Sequence, residues 1–142
     1  MQWVTVDTER VVGAMATPRR QMYDGWILAN PGKAVRVAEL ISNLVMEFRS
    51  GIEANSRNVL DPDPAKLPQT CVRYCEEICV FEICMEMGAT LNDGEMLSVS
   101  KAEIFMRYMY SGRFFITGGD GSGAGTPSYG KPAEHEARML EA

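Results

Sequence analysis

The 142-residue chain contains one histidine, His135. Cysteine–His and Ser–His–Asp catalysis both need an imidazole beside the nucleophile, so either would depend on that single residue in a glycine-rich stretch. Basic residues are outnumbered, 14 Lys and Arg against 19 Asp and Glu, for a formal net charge of −5. This argues against a general DNA- or RNA-binding surface, which needs clustered cations for phosphate contacts. No run approaches the ~18 uncharged apolar residues that cross a bilayer, and no basic-then-apolar leader opens the chain. The expectation is a soluble, intracellular protein with no membrane partner. There is no CxxC pair for a zinc knuckle and no GxxxxGK[ST] phosphate loop. The run Gly118-Gly119-Asp120-Gly121-Ser122-Gly123 lacks the Lys and a following helix start, and reads as a linker. No internal repeat is present.

What is there reads as one globular domain. Hydrophobic residues make up 46% and charged residues 23%, an ordinary balance for a chain that buries a core. The organising stretch is Leu67–Gly88. Pro68 offers a helix start and Gly88 a stop, and apolar residues from Cys71 to Met87 cover most of the circumference between them. Such a helix is buried, with its neighbours packed around it. Its four cysteines, Cys71, Cys75, Cys79 and Cys84, could invite a metal. One straight helix cannot wrap four thiolates round a tetrahedral ion, so they read as reduced core residues. No catalytic, metal-binding or cofactor-binding residue is expected, and the chain does not read as an enzyme.

The flanking segments build a bundle. Thr5 or Asp7 caps a short helix with Val11, Val12 and Met15 on its apolar face. Thr17-Pro18 starts a second short piece through Tyr23. Trp26, Ile27 and Leu28 then read as an anchor before the Asn30-Pro31-Gly32 turn. Lys33 to about Ala54 is the cleanest amphipathic helix, with Val37, Leu40, Ile41, Leu44, Val45, Phe48 and Ile52 on one arc. Gly51 reads as a weak point in its last turn. Asn55–Lys66 is a connector, because Asp61-Pro62-Asp63-Pro64 cannot continue a helix. Asn92-Asp93-Gly94 reads as a turn, and Ser100 with Glu103 as a capping box before the last core helix. That helix carries Ile104, Phe105, Tyr108 and Met109 inward and ends at Gly112. Arg107 and Arg113 sit at its end, where cations suit the helix dipole. Arg113–Thr117 has the composition of a short strand. Leu44, Phe48, Cys75, Ile78, Cys79, Phe105 and Tyr108 are the expected core.

Residues 118–142 differ. Six glycines from Gly118 to Gly130 make a tether that cannot hold a core. Beyond Pro132 lies a candidate helix, Ala133–Glu141, with the composition of a segment that folds on a partner. The expected organisation is therefore all-α: a compact bundle of about four helices over 1–117, then a flexible Gly-rich extension over 118–142 ending in a short helix.

One resemblance spans roughly Val35 to Ile116. An amphipathic helix leads into Phe48-Arg49-Ser50-Gly51-Ile52, a Pro-containing connector ends in Leu67-Pro68, and a long helix follows. A last helix closes in Ser111-Gly112-Arg113-Phe114-Phe115-Ile116. This layout resembles the small helical head–tail connector proteins of tailed bacteriophages, also called adaptor or head-completion proteins. It departs from them at Ser50, where they usually carry an aromatic, and in Trp3 and Trp26, which have no counterpart in their pattern. The resemblance implies a virion protein of the neck, made in the host cytoplasm. It implies a side-by-side homo-oligomeric ring, commonly a dodecamer, with the portal protein on one side and a tail or stopper protein on the other. DNA would pass through the bore without sequence recognition.

It further implies a C-terminal segment that grips the portal, for which Tyr129, Lys131, Arg138, Met139 and Leu140 are the candidate contacts. Ring contacts would then fall on the connector and the turn, at Asp61, Asp63, Asn92 and Asp93. The competing readings are a small cytoplasmic helical interaction or regulatory protein, and a thiol or metal enzyme.

Overall fold

Residues 2–116 are described by the computed structural model. The chain begins with strand β1, Trp3–Thr5, and helix α1, Thr8–Gly13, whose first turn is capped by the Asp7 carboxylate accepting from the Arg10 N–H at 2.9 Å. Helix α2, Thr17–Ala29, starts on Pro18, and the turn at Asn30–Gly32 leads to α3, Lys33–Glu53. The connector 54–65 follows, then strand β2, Lys66–Pro68, and helix α4, Gln69–Met87. Gly88 ends α4 at φ 72°, a left-handed conformation that suits glycine, and α5 runs Asp93–Tyr110. The architecture is all-α in character, with five helices and one two-stranded ribbon among the described residues.

The organising role of α4 holds. It packs against α5, α3 and α1, and Cys71, Val72, Cys75, Ile78, Cys79, Ile83 and Cys84 are all buried. The other six expected core positions besides Cys75 are buried too: Leu44, Phe48, Ile78, Cys79, Phe105 and Tyr108. Aromatic side chains close the α4–α5 seam. Tyr74 stacks on Phe105 at 4.3 Å between centroids, and Phe114 meets Phe105 edge-on at 5.6 Å.

Several sequence expectations are corrected. Trp3 and Val4 form β1, which pairs antiparallel with β2 in the register Trp3↔Pro68, Val4↔Leu67, Thr5↔Lys66. Helix α2 continues past Tyr23 through the Trp26-Ile27-Leu28 run to Ala29, because Gly25 weakens a helix without ending it. The capping box is Asn92 with Glu95, and Ser100 and Glu103 lie inside α5. Asn92-Asp93-Gly94 is thus a helix start. Residues 113–116 form no strand; side chains of the connector hold them instead. Gly51 serves close packing: a Cβ there would lie 3.1 Å from the Tyr110 ring and 3.3 Å from the Met109 Cβ. Residues 118–142, with their candidate terminal helix, lie outside the described residues.

Candidate functional site

Two places concentrate polar side chains. The first is a junction at the end of the bundle where α3 finishes, α4 begins and the chain leaves α5. The Arg49 guanidinium donates to two connector carbonyls, of Asp61 at 2.6 Å and Asp63 at 2.9 Å, and to that of Lys66 in β2 at 2.7 Å. It also lies 5.8 Å from the centre of the Trp3 ring. The planar fork of five donors lets one side chain gather a loop that has no ladder of its own. Asp61 and Asp63 brace turns of the same loop, their carboxylates accepting from the N–H groups of Asp63 and Ala65, each at 2.9 Å.

Asn58 completes the junction. Its amide donates to the carbonyls of Ile52 and Phe114, both at 2.8 Å, and its oxygen accepts from the Ile116 N–H at 2.8 Å. The Arg57 guanidinium sits 4.8 Å over the Phe115 ring. Gly112, at φ 81°, lets the chain turn beside the Ala54 carbonyl, which a Cβ would approach to 3.2 Å. Phe48-Arg49, Leu67-Pro68 and Ser111–Ile116, far apart in sequence, therefore meet at one end of the molecule.

The second place is a cleft of about 540 Å³ where the α1–α2 joint faces α4 and α5. Its apolar lining is Met15, Val80, Phe81, Leu91 and Val99, and its charged lining is Arg19, Arg73, Glu76, Glu77 and Glu95. Arg19 grips Glu95 with two bonds, at 2.5 and 3.0 Å, and donates to the Thr90 carbonyl at 3.1 Å. Glu95 also accepts from the Asn92 N–H at 2.9 Å, so the cap and the ion pair share one carboxylate. The bond from Arg19 holds the Glu95 carboxyl below the usual carboxylate range. Glu76 behaves oppositely: burial pushes its carboxyl up, against the pull of Arg10 at 3.0 Å.

The candidate residues separate accordingly. Asp61 and Asp63 sit at the junction. Asn92 lines the cleft and Asp93 is the first residue of α5, both exposed. The two groups therefore belong to two different places on the surface. Tyr129, Lys131, Arg138, Met139, Leu140 and His135 lie outside the described residues. Nothing in the sequence alone marks Arg19, Asn58 or Glu95 as site residues. Only the Phe48-Arg49 pair had a sequence signal, through the resemblance.

The four cysteines are unpaired and buried. Burial pushes the Cys71 thiol up to about 12, and Cys75 is raised by its hydrogen bond with Cys79 and by burial. Such thiols are poor nucleophiles at neutral pH. Among the described residues, no group of three His, Cys, Asp or Glu is placed to hold a metal, no charged or polar residue is fully buried, and no helix is long and apolar enough to cross a membrane.

The fold and the two sites define a small all-α bundle with a fastened chain exit and a separate lateral cleft. No protein-family model, curated protein or solved structure matches the chain.

Proposed function

We propose that this protein is a structural head–tail adaptor of a tailed bacteriophage. In this reading it assembles as a ring, commonly of twelve copies, between portal and tail, and passes DNA through its bore. The observation that carries the reading is the junction. The first motif behind the connector resemblance, the start of the second and the end of the third meet there, and each has a physical task. Phe48 fills the core, Arg49 gathers the connector ahead of Leu67-Pro68, and Gly112 turns the chain toward the Asn58 latch. An adaptor needs such a joint, because its C-terminal segment must leave a rigid body at a fixed point to reach the portal. The net charge of −5 also suits a bore that should not retain DNA.

The tail 118–142 is the proposed portal anchor, through Tyr129, Lys131, Arg138, Met139 and Leu140. Ordering its glycines costs conformational entropy, which contacts with the portal would offset. The test compares the full chain with one ending at Thr117 in a pull-down with the portal protein that this reading requires. The full chain should be retained. The shortened chain should fold with nearly unchanged stability and be lost. Retention of both would remove the tail as anchor, and retention of neither would remove the adaptor reading.

A further inference from the structure

Helices α3 and α5 both start at the end of the bundle where α4 finishes. Arg36, in the first turn of α3, pairs with Glu86 in the last turn of α4 at 2.9 Å, and a short turn from Gly88 leads to the Asn92 cap of α5. Four large apolar side chains at this end are exposed among the described residues. Val35 at the start of α3 is 67% exposed, Met85 at the end of α4 60%, and Met96 and Leu97 at the start of α5 55% and 58%. The chain exit lies at the other end, where Gly112 follows α5 and Asn58 holds Ile116. Resting on the portal-anchor reading above, we propose that the terminal segment 131–142 folds back on these apolar residues of its own bundle, and that the portal must displace it from there.

The length of chain beyond the exit argues for this occupant. Residues 117–142 follow Ile116, and the path back to the apolar end is the length of α5, whose 18 residues measure about 27 Å at 1.5 Å each. Residues 117–130 reach at most about 46–50 Å at 3.3–3.6 Å each, so they cover that path with slack. As a glycine-rich coil they would average about 20 Å end to end, of the same order as the path. A tether of that length presents its segment at an effective concentration on the order of millimolar. Free chains in micromolar solution offer far less, which favours the chain's own segment over a second copy.

The chemistry agrees. The segment carries Met139 and Leu140 side by side, and two of the four exposed residues it would cover are methionines, whose unbranched thioethers adapt to an irregular contact. Large apolar side chains gathered at one end of a bundle mark a contact surface. Met139 and Leu140 are also the proposed portal anchors, so a seated segment is withheld from the portal. A segment seated about three-quarters of the time would weaken apparent portal binding about fourfold.

The test uses the full chain with a nitroxide on Ala142→Cys; the four native thiols are buried and react slowly. Amide signals of Val35, Met85, Met96 and Leu97 should broaden in nuclear magnetic resonance spectra. Those of Val59, 83% exposed beside the exit, should not. The effect should survive dilution and be absent from isotope-labelled chains without nitroxide mixed with nitroxide-bearing chains. Leu97→Asp or Met96→Asp, both at exposed sites, should abolish the broadening and tighten portal binding about fourfold. No broadening, or broadening only between chains, overturns the fold-back and leaves the portal anchor standing. Release of the segment by both variants without tighter portal binding overturns the competition. A full chain that binds no portal, with or without these variants, overturns the portal-anchor reading, while the broadening alone then decides the fold-back.

Discussion

Replacing Asn58 by alanine tests whether the chain exit is fastened as described. The amide makes three bonds at 2.8 Å, to Ile52, Phe114 and Ile116, and all three partners are backbone groups. A net hydrogen bond contributes about 0.5–1.5 kcal/mol, so three would sum to about 1.5–4.5 kcal/mol. Asn58 is only half-buried, and water can replace part of what is lost. The expected cost of Asn58→Ala is therefore about 1–3 kcal/mol in urea unfolding followed by circular dichroism. The effect should also be local: exchange of the Ile116 amide should accelerate more than that of the α4 core amides.

Asn58→Asp sharpens the test. It keeps an acceptor for the Ile116 N–H but turns a carboxylate toward two carbonyls. The folded state then favours the protonated acid and raises its pKa. The penalty is accordingly absent below the unfolded value of about 3.9 and grows as pH rises through the folded one. At neutral pH Asn58→Asp should be at least as damaging as Asn58→Ala. A loss below about 0.5 kcal/mol for Asn58→Ala, with unchanged Ile116 exchange, would refute the latch.

Phe48→Ala and Leu44→Ala should each cost about 2–5 kcal/mol in the same unfolding assay, since both side chains lie in the core formed by α3, α4 and α5; losses under about 0.5 kcal/mol at both sites would contradict that packing. Thiol titration should count four reactive cysteines in denatured protein and slow reaction in folded protein, because all four are buried. Because the Glu95 carboxyl is held low by Arg19, its contribution is present above the unfolded carboxylate pKa of about 4.3 and lost as pH falls through the folded value. Arg19→Gln should therefore cost about 1–3 kcal/mol at pH 7, and a pH series should show the gap to wild type narrowing in acid.

The elements that could be read from sequence are those with their own periodicity. Helix α3 displays a continuous apolar arc, and α4 is bracketed by Pro68 and Gly88, so both follow from local pattern. Capping was legible in kind and misassigned in place. Asn92 with Glu95 and Ser100 with Glu103 share one spacing, and only the course of α5 separates a cap from an interior pair. Strands β1 and β2 have three residues each, and their partners lie more than sixty positions apart in the chain, so no window contains the pattern that forms them.

The sites were less legible than the fold for the same reason. The connector was recognised from its prolines, but an Asn that latches residues 52, 114 and 116 resembles any loop Asn until those groups converge. The cleft draws on the α1–α2 joint, the middle of α4 and the start of α5, and its apolar lining reads locally as ordinary core.

The central claim is most directly tested by electron microscopy of the full-length protein mixed with the portal protein that the adaptor account requires, with the mass of the complex taken by light scattering. The adaptor account predicts a closed ring of about twelve copies seated coaxially on the portal, with an open bore. Portal particles left bare beside monomers of this chain would contradict it.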